Sequence, residues 1–141
     1  MIDSLKIALI RLLAFILVLS NFSCDDSSSY DIIIVGGGTS GVVSAIQSSR
    51  MGSKTLLVEE SNWLGGMITS AGVSAMDGNY KMPSGFLKEF RDSLVSHYGN
   101  LDSLKTGWVS NLMFEPSVGN RILKEIAQSE KNLTIMYETT I

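Results

Sequence analysis

The sequence predicts an α/β fold, with a core of parallel strands and helices packed beside it. Two short apolar runs, Ile32–Val35 and Thr55–Val58, have the length and composition of buried parallel strands. Between them, small and apolar residues recur at helical spacing from Gly41 to Ser49, and Gly52 is expected to end that helix. A strand, a helix and a second strand in this order form a βαβ unit.

Three further elements are predicted downstream. Ser84 is expected to cap an amphipathic helix that runs to Tyr98. Pro116 suits the first turn of another helix, whose apolar stripe is formed by Val118, Ile122 and Ile126. A last strand is predicted by three apolar residues at alternate positions, Leu133, Ile135 and Tyr137.

The turn between the first strand and the first helix carries the glycine spacing G-x-G-x-x-G. Gly36 is expected to permit a tight turn, Gly38 to let the backbone approach a pyrophosphate, and Gly41 to let the helix pack closely on the sheet. The free N–H groups and the positive dipole end of that helix favour a diphosphate. The pattern predicts a Rossmann-like FAD/NAD(P)-binding fold in which the cofactor is bound by Gly36, Gly37, Gly38, Thr39, Ser40 and Gly41.

Glu59 follows the second strand directly, at its carboxyl end. A carboxylate there can accept hydrogen bonds from both hydroxyls of a ribose and would repel a 2′-phosphate, so an unphosphorylated adenosine is expected. The alternative is a glycine-rich turn in some other α/β protein, with Glu59 merely solvated. The register of strand, glycines, helix, strand and acid favours the dinucleotide site.

The residues after Glu59 resemble those of flavoprotein oxidoreductases whose first βαβ unit binds FAD. A pair of glycines, Gly65 and Gly66, follows the acid closely, and the run Leu64–Gly78 is similar to a family of FAD-dependent oxidoreductases. The similarity extends downstream to Ser84–Asp92, His97–Gly99 and Phe114–Val118, so it covers about Asp31 to Ile141.

This resemblance implies FAD as the cofactor, an oxidoreductase activity and a small-molecule substrate that stays unassigned. It also implies that Gly65 and Gly66 approach the pyrophosphate and ribityl chain of the flavin, where a Cβ would collide. The residues after the last strand are implied to approach the adenine. Two alternatives stay open: an NAD-binding dehydrogenase, and a non-catalytic nucleotide-binding envelope lipoprotein.

Length and composition narrow the remaining functions. A complete enzyme of this family is much longer than 141 residues, so residues 30–141 are expected to be the N-terminal part of an FAD-binding domain, inactive by themselves. With 11 Lys and Arg against 14 Asp and Glu, the chain lacks the basic surface that nucleic acid requires. One histidine and one cysteine give no recognisable metal-ligand set and no intramolecular disulfide. No catalytic residue is assigned, and His97 is expected to be solvated or to cap its helix.

Residues 1–23 have the features of a signal peptide. Lys6 and Arg11 supply positive charge, and the apolar stretches Ile7–Ile10 and Leu12–Leu19 are too short to span a bilayer comfortably. Cys24 follows directly and opens a polar tether, residues 24–29. The segment therefore predicts export.

The position of Cys24 resembles a bacterial lipoprotein signal, which is cleaved before a cysteine that is then acylated on sulfur. It implies lipidation at Cys24, attachment to a membrane through that lipid, and a location in the bacterial cell envelope. Asn21 departs from the usual aliphatic residue three positions before the cysteine. An ordinary secretory signal or an uncleaved anchor therefore stays open.

Labelled palmitate tests this assignment in a bacterial host. We expect the wild-type protein to incorporate the label and to fractionate with membranes, because two acyl chains give stable attachment. Cys24→Ser is expected to lose the label. Equal labelling of the two proteins would eliminate the lipoprotein interpretation, and an unlabelled wild type in the soluble periplasm would favour ordinary signal cleavage.

Overall fold

The structure, a computed structural model, describes residues 29–78 and 80–141. The signal peptide predicted for residues 1–23 and the lipidation site Cys24 lie outside this range, as does the whole tether except Ser29. In the described ranges, no helix is both long enough and apolar enough to cross a membrane.

Three parallel strands form a single sheet in the order β1, β2, β3. They span Ile32–Val35 for β1, Thr55–Val58 for β2 and Leu133–Met136 for β3. The strands start in register, with Ile32 opposite Thr55 and Thr55 opposite Leu133. Because they run in the same direction, their carboxyl ends meet at one edge of the sheet. This confirms the α/β class and the parallel core.

Three α-helices accompany the sheet: α1 spans Thr39–Arg50, α2 Gly85–Tyr98 and α3 Pro116–Gln128. Two short 3-10 helices lie at Gly66–Ile68 and Asp102–Leu104. Helix α1 packs on the sheet, α3 packs beside α1, and α2 packs against α3. All three helices were predicted from apolar spacing.

Two details at element ends differ from the sequence expectations. Ser84 occupies the position before α2 with extended backbone, but its side chain makes no capping hydrogen bond, so its predicted role is wrong. Burial of Phe90 and Leu94 holds α2 in place instead. Strand β3 ends at Met136, one residue before Tyr137, because the chain bends at Glu138, where φ is 51°.

The hydrophobic core lies between the sheet and the helices. Leu57 from β2 meets Val42 and Ile46 from α1 in one buried cluster. The cluster continues into α2 and α3, and the rings of Phe90 and Phe114 meet edge to face with centroids 5.3 Å apart. The stripe predicted for α3 is confirmed, since Ile122 and Ile126 are buried and Val118 packs against the cluster.

The opposite face of the sheet is largely open. The sequence predicted that β1 is a fully buried strand, but Ile33 is 59% exposed and Val35 is 63% exposed. Met136 on β3 is also exposed. These outer strands each have one edge without a neighbouring strand in the described residues, whereas β2, which lies between them, is buried along its whole length as predicted.

The turn from β1 into α1 is closed tightly by glycines. Gly36 adopts a φ of 94°, a conformation that favours glycine, and its N–H donates to the Val58 carbonyl at 2.8 Å. A Cβ on Gly41 would lie 1.9 Å from the Gly36 carbonyl oxygen. The first turn of α1 therefore lies directly against the backbone that leaves β1.

Gly41→Ala is predicted to displace α1 from this turn. We expect the free energy of unfolding to fall by about 3 kcal/mol, since the obstructing atom is backbone and cannot move aside. Urea unfolding measures the change. Ser40→Ala, at an exposed position of the same helical turn, is the matched control and should change stability little. Equal stability of the two variants would contradict the close packing at Gly41.

Candidate functional site

A cavity of about 410 Å³ opens at the carboxyl edge of the sheet. Its wall includes four of the predicted cofactor-binding residues, namely Gly36, Gly38, Glu59 and Gly66. Residues 139–141, which follow β3, form another part of the wall. The turn after β1, the acid after β2 and the residues after β3 are thus brought to one place, as expected for a ligand site at the ends of parallel strands.

Gly38 provides the open side of the phosphate loop, the turn of residues 36–38 between β1 and α1. It occupies the position before α1, and a Cβ built on it would meet no protein atom within 4 Å. The first N–H groups of a helix have no partner within the helix, and the dipole of α1 adds positive potential there. The loop therefore fits a diphosphate, which needs backbone donors and room for close approach.

Gly37 and Gly65 face protein atoms, not the cavity. The Gly65 N–H donates to the Gly37 carbonyl at 2.8 Å, and the Thr39 hydroxyl donates to the Gly65 carbonyl at 2.8 Å. A Cβ on Gly65 would meet the Leu123 side chain at 2.6 Å. A side chain at position 65 would therefore collide with the chain's own atoms, a reason for glycine in addition to the close approach of a flavin that the resemblance implies.

The glycine pair and the phosphate loop are in direct contact. Gly38 and Gly65 form a parallel bridge, and a Cβ on Gly66 would lie 3.0 Å from the Gly38 Cα. Ser40 is exposed and is not part of the cavity wall, although its N–H belongs to the first turn of α1. The predicted residues thus divide into those that face the cavity and those that hold the loop.

Glu59 is a buried connection between β2 and the phosphate loop. Its Oε2 accepts a hydrogen bond from the Gly37 N–H at 2.6 Å. Its Oε1 accepts from the Ser61 N–H at 2.9 Å and from the Ser61 hydroxyl at 2.6 Å. A carboxylate has about four acceptor positions, so these bonds leave about one, on Oε2, for a ligand. The expectation of bonds to both ribose hydroxyls would require the displacement of a donor.

The same contacts set the charge of Glu59. Burial opposes ionisation, but the hydrogen bonds from Ser61 and from Gly37 outweigh it and hold the pKa of the carboxyl below its ordinary value. The side chain is only 9% exposed. Glu59 is therefore a buried anion that is stabilised by fixed donors.

Several residues at the site were missed by the sequence analysis. Ser61 fixes the Glu59 carboxylate, and the Thr69 hydroxyl donates to the Leu64 carbonyl at 2.5 Å. Asn120, on α3, accepts from the Leu64 N–H at 2.9 Å. Ser61 and Thr69 lie within three residues of predicted site residues, so their spacing could have given a signal, whereas Asn120 lies far from all of them in the sequence. Glu60, which directly follows Glu59, also lines the cavity.

His97 lies away from the cavity. It is exposed, and its Nδ1 is 3.1 Å from an Arg121 guanidinium nitrogen. In the part of the chain that the structure describes, no group of three or more His, Cys, Asp or Glu side chains is arranged to hold a metal ion.

The sequence profile of a family described as FAD dependent oxidoreductase matches residues 31–141. The chain belongs to this FAD-dependent oxidoreductase family. FAD is therefore its cofactor, and the parallel sheet with flanking helices is a Rossmann-like FAD-binding fold. The family, the fold class and the cofactor inferred from the resemblance are confirmed.

Shorter segments of this member of the FAD-dependent oxidoreductase family also match individual proteins. It is 39% identical to dihydrolipoyl dehydrogenase 1 of Arabidopsis thaliana over 51 residues, which are 36% of the chain and 10% of that enzyme. It is 54% identical over 33 residues to the tRNA uridine 5-carboxymethylaminomethyl modification enzyme of Lactobacillus johnsonii, 23% of the chain and 5% of that enzyme. The chain thus spans a tenth or less of these relatives.

Among solved structures, the Thermovibrio ammonificans THI4 crystal structure is similar over 95% of this chain and 45% of its own chain. The TM-score is 0.46 and the sequence identity is 17%.

The hydrogen bonds to Glu59 predict how stability depends on pH. Because the folded-state pKa lies below the ordinary value of 4.5, ionised Glu59 stabilises the fold above that pH, and its contribution is lost as the pH falls through the folded-state pKa. We expect Glu59→Gln to lower the unfolding free energy at neutral pH by about 1–3 kcal/mol. The reason is that the NH2 group of glutamine would face an N–H or O–H donor that the carboxylate now accepts from.

Urea unfolding between neutral and acid pH measures both effects. The wild type should lose more stability than Glu59→Gln as the pH falls below 4.5. Glu60→Gln is the matched control, because the neighbouring side chain is exposed. Parallel pH profiles for the wild type and Glu59→Gln would contradict this role of Glu59.

Proposed function

We propose that this chain supplies the dinucleotide-binding part of an FAD-dependent oxidoreductase that acts on a small molecule. The observation that carries the proposal is the open side of Gly38, at the start of α1, which faces a cavity shared with Glu59. Membership of the FAD-dependent oxidoreductase family supports FAD as the occupant. The substrate stays open, and the site offers no side chain for which a catalytic role can be argued.

The residues divide the binding of FAD between them. Gly36 and Gly38, with the N–H groups at the start of α1, hold the diphosphate. Glu59 accepts one hydrogen bond from the ribose through its remaining acceptor position on Oε2. Gly66 also lines the cavity, and a glycine there allows the ribityl chain of FAD to approach the backbone closely.

Bound FAD supplies the redox chemistry, as an acceptor and donor of electrons. The chain's own contribution is to hold and orient the cofactor through backbone donors and one carboxylate. The match to a dihydrolipoyl dehydrogenase over 51 residues supports a redox role for the complete protein.

We also propose export and a lipid anchor at Cys24, on the sequence features of residues 1–29. Strand β1 begins at Ile32, shortly after the proposed tether of residues 24–29.

Purified full-length protein tests the proposal through its visible spectrum. We expect the absorption of oxidised flavin, released on denaturation as FAD and not as FMN. A protein that binds a nicotinamide cofactor and no flavin would favour an NAD-binding dehydrogenase. A protein that binds neither would favour a non-catalytic envelope protein.

Gly38→Val is predicted to remove FAD binding while the fold persists. The added Cβ would meet no protein atom within 4 Å, and the larger side chain would take up space that the diphosphate needs, so we expect affinity for FAD to fall by about 100-fold or more. The loss of stability should be only about 1 kcal/mol, from the change of the residue before α1.

Titration of the apoprotein with FAD measures the affinity, and Gly38→Ala should give an intermediate loss. Ser40→Ala, outside the cavity wall, is the matched control. Stoichiometric flavin in purified Gly38→Val would show that this loop is not the diphosphate site.

A further inference from the structure

The segment Leu64–Gly66 forms the link between the phosphate loop and α3. Gly66 lines the cavity, and Gly65 is hydrogen bonded to the loop through Gly37 and Thr39. With Gly38 and Gly66 in contact, a movement of this segment would move the cavity wall and the loop together. Its position therefore matters for any ligand of the cavity.

Both backbone polar groups of Leu64 are bound by side chains. The Thr69 hydroxyl donates to the Leu64 carbonyl, and the Leu64 N–H donates to the Asn120 Oδ1 at 2.9 Å. Thr69 is only five residues away in the chain, whereas Asn120 is 56 residues away and belongs to α3. Two helices therefore bind this segment through side chains: Thr39 of α1 donates to the Gly65 carbonyl, and Asn120 of α3 accepts from the Leu64 N–H.

Helix α3 is held in place by packing, so it can position the Asn120 side chain for this hydrogen bond. Its Leu123 side chain is fully buried and would meet a Cβ on Gly65, so the helix also contacts the segment directly. Asn120 lies one turn earlier on the same helix and is partly buried. The amide oxygen of Asn120 therefore fixes the distance between the Leu64 backbone and α3.

We infer that Asn120 is a positioning residue of the FAD site, acting through the Leu64 N–H on the glycine pair and the phosphate loop. This rests on the proposed function. Asn120 is not part of the cavity wall. Its effect on binding passes through the backbone of Leu64–Gly66.

Two substitutions test whether the side-chain oxygen of Asn120 is needed as a hydrogen-bond acceptor. Asn120→Ala removes the partner of a partly buried N–H, so we expect affinity of the full-length apoprotein for FAD to fall by about tenfold. Asn120→Asp keeps an oxygen at the same place and should stay within about threefold of the wild type. Arg121→Ala is the matched control, since the neighbouring Arg121 is exposed and pairs with Glu125 on the same helix.

The affinities discriminate positioning from general stability. Loss in Asn120→Ala with rescue in Asn120→Asp supports the inference. Unchanged affinity in Asn120→Ala overturns it, and equal loss in both Asn120 variants overturns the role of the acceptor oxygen. If Asn120→Ala fails to fold, Asn120→Ser, whose shorter side chain does not reach Leu64, takes its place.

Amide hydrogen exchange of residues 62–66, measured without FAD, gives a readout that does not depend on cofactor binding. Faster exchange at Leu64 and Gly65 in Asn120→Ala, with wild-type exchange in Asn120→Asp and unchanged exchange in α2, is the expected result. A wild-type protein that binds no FAD would overturn the proposed function. In that case the exchange comparison still decides whether Asn120 positions the segment, since unchanged exchange would refute it.

Discussion

The hydrogen bond from the Gly37 N–H to the Glu59 carboxylate, 2.6 Å long and buried, joins the two halves of the site. One half is the turn that leaves β1, and the other is the end of β2. Two more hydrogen bonds from Ser61 hold the same carboxylate. A buried N–H without its partner costs free energy, so the arrangement of the loop depends on this one side chain. Glu59 thus shapes the site before any ligand is bound.

Backbone atoms, more than side chains, form the phosphate loop and the segment beside it. Close approach is possible because glycine occupies each point of contact: Gly41 against the turn, Gly65 against Leu123 and Thr69, and Gly66 against Gly38. Gly38 differs from these, since no protein atom occupies the space beside it. The glycines that look equivalent in sequence therefore serve two purposes, the packing of the protein on itself and the exposure of backbone to a ligand.

The two faces of the sheet are covered differently. Helices cover one face, where Leu57 joins the core, while Ile33 and Val35 are exposed on the other. Parallel sheets are normally covered on both faces. The cavity lies at the carboxyl ends of the strands, where Val35 and Val58 form part of its wall together with the turns that follow the strands. The geometry of those turns is fixed by hydrogen bonds within the described residues.

The sequence by itself determined the elements and four of the residues that line the cavity, Gly36, Gly38, Glu59 and Gly66. Apolar runs and helical spacing are local properties, so the three strands and α1 could be predicted, and the glycine spacing with Glu59 predicted a dinucleotide site. The family and FAD were implied by the resemblance of Leu64–Gly78 and the runs downstream of it. It could not determine how exposed β1 is, because exposure depends on which elements pack on each face.

Only the tertiary structure decided how the predicted residues are used. Whether Gly65 faces a cofactor or Leu123, and how many acceptor positions Glu59 retains, depend on partners that lie far away in the chain. Asn120 gave no signal in the sequence, since it belongs to no motif and acts on a residue 56 positions earlier. Local spacing specifies which groups lie at the ends of the strands, whereas packing between distant segments specifies which of those groups remain free for a ligand.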